Sequence, residues 1–164
     1  MSGTSSPVDG VRRADSQEFE RAVDVWRAAN PDSGLHAHPG NLMAWAAGED
    51  AYLAIHLTSG RIDGMGLAVP EREHDGDGDL VPGVVHVTGV AVHPERHRCG
   101  LGGQLLDHLL GRAGERGYDR ARLWTREDNA PARSLFASRG LVPTGRRKIM
   151  SDGRSYLHLE ATLG

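Results

Sequence analysis

Gly100, Gly102 and Gly103 stand together at the start of the most regular amphipathic stretch in the chain. Leu101, Leu105, Leu106, Leu109, Leu110 and Ala113 recur there at helical spacing, while Gln104, Asp107, His108, Arg112 and Arg116 fall on the opposite face. A glycine inside a helix costs about 1 kcal/mol against alanine, less near an end, so three in one first turn ask for a reason. The segment ahead reads Val90-Ala-Val-His-Pro-Glu-Arg-His-Arg-Cys99, an apolar strand-like run, a proline stop at Pro94 and a basic turn. A helix entered this way offers backbone N–H groups and the positive end of its dipole, with Arg96, His97 and Arg98 beside it. With no Cβ atoms in the way, an anion can approach that backbone, and the pattern predicts a phosphate-ester site.

Spacing also excludes two other cradles. A Walker A loop needs Gly-Lys-Ser/Thr, and the chain's one lysine is Lys148. A dinucleotide fingerprint needs glycine at position 105, where Leu105 stands. Composition narrows the rest. The chain of 164 residues is 38% hydrophobic, enough for one domain, which we place at 8–164 behind a Ser/Gly/Pro-rich leader at 1–7. A net charge of -3 predicts no nucleic-acid footprint. The longest apolar runs, Met43–Ala47 and Ala51–Ile55, are too short to span a membrane, and no signal peptide is visible, so the reading is cytoplasmic. Cys99 has no partner cysteine for a disulfide or a Cys-based zinc site.

Along the chain, Val8–Arg13 reads as a short strand, with Ser16 a cap for a helix carrying Phe19, Ala22, Val23 and Trp26. His36–Gly48 reads as a second helix, and Ala51–Thr58 with Arg61–Val69 as a hairpin across Ser59-Gly60. Glu71–Gly83 reads as a polar loop with five carboxylates, followed by a buried strand at Val84–Val92 and the helix at Gly100–Gly117. A strand at Ala121–Thr125, a helix at Ala130–Ser138 and closing strands at Pro143–Met150 and Arg154–Leu163 complete the order. The class is α/β or α+β around one mixed sheet. No metal is expected: His36-Ala-His38 is a lone pair, and Asp75, Asp77 and Asp79 lack the downstream glutamate of a calcium loop.

The glycine turn resembles the acyl-CoA motif of the GCN5-related N-acetyltransferase (GNAT) superfamily, Arg/Gln-x-x-Gly-x-Gly/Ala after a strand ending Val-x-Pro. Here it stands as His97-Arg98-Cys99-Gly100-Leu101-Gly102 after Val90-Ala-Val-His-Pro94, with His97 departing from the pattern. The second family motif resembles Asn129-Ala-Pro-Ala-Arg-Ser-Leu-Phe-Ala-Ser-Arg-Gly-Leu141, about thirty residues further on. The resemblance implies a mixed, mostly antiparallel sheet of six to seven strands with about four helices. It implies acetyl-CoA as cofactor and direct transfer of its acetyl group to a primary amine of a small molecule or peptide. By the same resemblance, the backbone of Val90, Ala91 and Val92 would bind the pantetheine arm. That of Arg98, Cys99, Gly100, Leu101, Gly102 and Gly103, with His97 ahead, would hold the pyrophosphate. Asn129 and Phe136 would border the cofactor, and the protein would be a monomer or homodimer.

The catalytic groups stay open. The family's tyrosine falls at Phe136, which has no hydroxyl, so Tyr156, Ser134 or a water would have to protonate the leaving thiolate, unless it leaves unaided. The strand carboxylate of many relatives is replaced by Thr88 and Gly89, leaving His86 as a base acting directly or through water. These departures allow an alternative, an acyl-CoA-binding sensor or module with weak or no turnover. The acidic loop at 71–83 would favour a cationic amine acceptor.

Overall fold

The computed structural model describes residues 8–30, 39–74, 77–97, 99–150 and 153–164. The leader at 1–7, His36, His38, Asp75 and Arg98 therefore lie outside the described residues. In chain order the elements are β1 (Gly10–Arg13), α1 (Phe19–Ala29), α2 (Pro39–Ala46), β2 (Tyr52–Thr58), β3 (Arg61–Arg72), β4 (Leu80–Val92), α3 (Leu101–Glu115), β5 (Arg120–Arg126), α4 (Ala130–Ser138), β6 (Val142–Ile149) and β7 (Ser155–Thr162). One sheet runs β1-β2-β3-β4-β5-β7-β6. Every pairing is antiparallel except β4 with β5.

Both faces of the sheet centre carry helices, so β2 is buried continuously from Tyr52 to Leu57 instead of on alternate residues. On one face Val23, Val25 and Trp26 of α1 pack over Leu53, Ile55, Met65 and Leu67. On the other, Leu105, Leu106 and Leu109 of α3 pack over Ala54, Ala68, Val87 and Leu123. Each such buried leucine contributes roughly 1.5–3 kcal/mol. Helix α3 lies close because β3 is bare beneath it. A Cβ at Gly64 would stand 2.8 Å from Leu105 Cδ1, and one at Gly66 2.7 Å from Leu109 Cδ1.

Two local readings change. The chain enters α1 through a short 3-10 turn capped by Asp15, not Ser16. Asp15 Oδ1 accepts from the Gln17 N–H at 3.0 Å, and the Asp15 N–H donates to Glu18 Oε1 at 3.0 Å, a reciprocal capping box. Secondly, β3 and β4 reach beyond Val69 and begin before Val84. The ladder passes Pro70, which pairs with Val85, and resumes at Arg72 with Leu80 after an irregularity. An interrupted register tolerates a proline that an uninterrupted ladder would not. Glu71 consequently belongs to a strand and is buried, and the acidic connection shrinks to residues 73–79. No helix among the described residues is long and apolar enough to cross a membrane.

Candidate active site

The two central strands part company. Strands β4 and β5 pair only at Val84–Arg120, Val85–Ala121 and His86–Arg122. Beyond that point β4 stays with β3 and β5 stays with β7, and a cleft of about 420 Å³ opens between them. Thr88, Gly89, Trp124, Phe136 and Tyr156 are among the residues lining it. A bulge marks the parting: Leu67 opposes Gly89 and Ala68 opposes Val87, so Thr88 has no partner in β3. From Val87 onward, β4 has no paired residue in β5, which leaves that edge to bind an extended amide chain.

At the C-terminal end of β4 the chain makes a 3-10 turn, Pro94–Arg96, capped by His93, whose Nδ1 accepts from the Glu95 N–H at 3.2 Å. His97 Nε2 donates to the Val92 carbonyl at 3.0 Å, so the residue that departs from the motif fastens the turn to the strand end. Gly100 then takes φ +76, the left-handed region, and is the N-cap of α3 without any side-chain cap. A Cβ there would meet nothing within 4 Å, so the glycine serves the backbone path and keeps the helix end bare. The first N–H groups of an α-helix have no intrahelical partner. This bare, open helix start fits a pyrophosphate.

The neighbouring glycines differ in kind. Gly102 has ordinary room for a Cβ, 3.5 Å from Leu135 Cδ2. At Gly103, which is buried, a Cβ would stand 2.6 Å from the Arg139 guanidinium, the movable end of a long side chain, and 3.6 Å from Leu135 Cδ1. Leu101 is buried and Cys99 is exposed, its thiol 3.7 Å from the His97 carbonyl. Ala91 is buried in the core, while Val90 and Val92 are partly buried at the parting edge. Asn129 and Phe136 both line the cleft. Asn129 is also the N-cap of α4, its Oδ1 accepting from the Ala132 N–H at 3.2 Å.

Of the catalytic candidates, Thr88 and Tyr156 line the cleft, whereas Ser134 is exposed on α4. His86 sits at the last paired position before the cleft, its Nδ1 3.8 Å from Glu71 Oε2, beyond hydrogen-bond reach. Burial alone would raise the Glu71 carboxyl, but His86 beside it, with Arg122 and His158, holds it below its ordinary value. Sequence reasoning passed over Trp124, Arg126, Arg154, Glu71 and His158. His158 is buried on β7, its ring 4.7 Å from that of Trp124 and its Nδ1 2.8 Å from Thr144 Oγ1. Burial, then the charge of Arg146, lowers it to about 4. Among the described residues no three His, Cys, Asp or Glu side chains gather as metal ligands.

Residues 17–141 match the sequence model of the family described as Acetyltransferase (GNAT) family. The chain belongs to this family. Among solved structures, the GNAT fold of this chain is similar to that of the ribosomal-protein-S18-alanine N-acetyltransferase of Escherichia coli, with a TM-score of 0.76 at 21% identity over 96% of this chain and 95% of that one. It is also similar to yncA of Salmonella typhimurium, solved with its cofactor acetyl-CoA, with a TM-score of 0.79 at 19% identity over 96% and 95%. A 63-residue stretch is 46% identical to the mycothiol acetyltransferase of Thermobifida fusca, covering 38% of this chain and 19% of that protein. The matched stretch thus spans about a fifth of the length of the curated relatives. Acetyl-CoA is the cofactor of the family, and the GNAT cleft and bare helix start described above fit its amide arm and its pyrophosphate.

Proposed function

We propose that residues 8–164 transfer the acetyl group of acetyl-CoA directly to the primary amine of a small molecule or peptide. The observation that carries this reading is the parting of β4 from β5, which opens a cleft beside the unpaired strand edge and the uncapped N-terminus of α3. When bound, acetyl-CoA supplies the thioester carbon on which the amine forms a C–N bond while the C–S bond breaks and sulfur keeps the electron pair. The edge of β4 from Val87 to Val92 aligns the amide arm, and the backbone at Gly100–Gly103 holds the pyrophosphate. Two protons must move, one from the amine nitrogen and one to the sulfur. We assign the second to the Tyr156 hydroxyl and the first to His86, acting through a water held at Thr88.

Phe136 favours a second reading. It lines the cleft at the family's tyrosine position without a hydroxyl, as an acyl-CoA sensor with weak or no turnover would. Thiol release from acetyl-CoA with a panel of amines, alongside calorimetric CoA binding, separates the two. Amine-dependent release supports the transferase; binding without release for any acceptor supports the sensor. Within the first outcome, Tyr156→Phe should lower kcat and shift the alkaline limb of the rate profile. His86→Gln should remove the acidic limb, and a variant that keeps both limbs ends that assignment.

A further inference from the structure

Resting on the reading of His86 as the base, we infer that Glu71 holds the His86 imidazole with its proton on Nδ1, which leaves Nε2 to accept a proton from the cleft. Glu71 is then a positioning residue. It acts through His86 and does not itself meet the acceptor or the cofactor.

The placement follows from the ladder. Val69 of β3, His86 of β4, Arg122 of β5 and Glu160 of β7 are successive partners, so their side chains share one face of the sheet. Glu71 stands two residues beyond Val69, where the ladder resumes after Pro70, and is buried. Trp124, two residues beyond Arg122, shares that face and lines the cleft. Because β3 runs antiparallel to β4, Glu71 lies on the side of His86 away from the cleft, behind the ring.

The other carboxylate of this row is already engaged. Glu160 Oε2 accepts from Arg122 Nε at 2.7 Å, which occupies the cation opposite His86. Glu71 Oε2 lies 3.8 Å from His86 Nδ1. The His86 side chain is 23% exposed, yet Nδ1 itself is buried without a hydrogen bond. The buried histidines His56 and His158 differ: their Nδ1 atoms are 2.7 Å from Asp63 Oδ1 and 2.8 Å from Thr144 Oγ1. Those two are fastened in the resting chain. An unbonded buried nitrogen beside a buried carboxylate is a contact set to close when charge arrives on the ring.

The reaction brings that charge. Water at Thr88 passes one proton to Nε2 and takes one from the acceptor nitrogen, so the ring becomes an imidazolium with both nitrogens protonated. The Nδ1 proton stays on Nδ1 and is donated to Glu71 as a hydrogen bond; the Nε2 proton leaves to solvent after turnover. Arg122 on β5, and His158 on β7 with Arg146 beyond it, are the positive or titrating groups around the pair. Glu71, with Glu160 on Arg122, supplies the opposing charge.

The test reads the ring directly. In the full chain carrying isotope-labelled histidine, the His86 signals are those absent from His86→Gln, and the two ring-nitrogen shifts at alkaline pH report the neutral tautomer. A neutral imidazole in water carries its proton mainly on Nε2; His86 should carry it on Nδ1. Glu71→Gln removes the charge and keeps the shape. The acidic limb of kcat/KM should then move to lower pH, by about tenfold in proton concentration, and kcat should fall about tenfold or more. Glu71→Asp should recover part of both, and KM for acetyl-CoA should hold in either variant. A proton on Nε2, or an acidic limb unmoved in Glu71→Gln but removed in His86→Gln, overturns the inference and leaves His86 as the base. A proton on Nδ1 in a chain that releases no thiol with any amine, or whose His86→Gln variant keeps its acidic limb, ends the transferase or base reading and leaves the pairing standing.

Discussion

Arg96 Nε lies 3.2 Å from Asp63 Oδ2, an ion pair that ties the turn between β4 and α3 to a carboxylate of β3 that is 1% exposed. The Nε–H does not point along the contact, so Arg96 contributes charge there without a hydrogen bond. The hydrogen bonds come from His56 Nδ1 at 2.7 Å and Thr58 Oγ1 at 2.8 Å, and Asp63 sits where the β2–β3 register slips. The Asp63 carbonyl accepts from the His93 N–H at 2.8 Å, so both ends of this residue hold the start of the turn between β4 and α3. Burial would raise the Asp63 carboxyl, but His56 and Thr58, with Arg96, keep it below its ordinary value.

Asp63→Ala would leave the His56 and Thr58 donors and the Arg96 charge facing a gap. Losing the buried acceptor should cost about 3 kcal/mol, read as a lower urea midpoint at unchanged slope. Asp63→Asn keeps the shape and some hydrogen bonds but removes the charge, so it should cost less. If the turn depends on this anchor, CoA affinity falls in Asp63→Asn even where the protein remains folded; unchanged affinity would show that the cradle holds its form alone.

Acid should unfold the protein in two separable windows. The Arg12 guanidinium, bidentate at 2.7 Å, pulls Glu18 from 4.5 to about 2. A carboxyl lowered on folding stabilises above its unfolded value, and that contribution is lost as pH falls from about 4.5 to about 2. His158 behaves differently: burial first, then Arg146, lowers it from 6.5 to about 4, so protons bind the unfolded chain first and stability falls from about pH 6.5 to 4. His158→Gln should flatten the upper window, and Glu18→Gln the lower one. Arg12 is half exposed, so screening reduces the Glu18 effect to about 1–2 kcal/mol. Denaturation midpoints taken from pH 7 to pH 2 on the three proteins check both signs.

What could be read from the chain divides by distance along it. The glycine turn, the leucine face of α3 and the Asn129 motif are contiguous, so each is legible before any fold is known. The cleft is not contiguous: it exists because Val85 pairs with Ala121 while Val87 and Leu123 have already separated. Arg126 and Arg154 meet there from β5 and from the approach to β7, and no spacing rule joins them. Glu71 hides behind Pro70, where a broken periodicity looks like a loop although the ladder resumes at Arg72. Gly103 shows both cases. Its place in the first turn of α3 reads directly from the sequence, while the Arg139 guanidinium beside it comes from the end of α4 and no spacing announces it.

Gly102→Glu tests the phosphate turn. A glutamate in the first turn of α3 favours the helix dipole, so the fold should survive with little change in Tm. The same charge would oppose a pyrophosphate at that helix end, raising the Kd for CoA about tenfold or more by calorimetry. A Cβ at this position has ordinary contacts, 3.5 Å to Leu135 and 3.9 Å to Val92, so Gly102→Ala is the steric control and should bind normally. Equal affinity in the glutamate and alanine variants would place the pyrophosphate elsewhere.

Phe136→Tyr asks whether the cleft still has the leaving sulfur where the family places it. Phe136 lies on α4 in the lining, half-buried, and a para hydroxyl adds one polar atom at the cleft wall. If that atom meets the sulfur, turnover should rise by up to about tenfold and gain an alkaline limb as the phenol ionises near pH 10. Combined with Tyr156→Phe, it should restore what the single Tyr156 change removes, because one hydroxyl then replaces the other. A double variant as slow as Tyr156→Phe alone would show that the two positions do not address the same atom. Tyr156 would then act on the acceptor, not the thiolate.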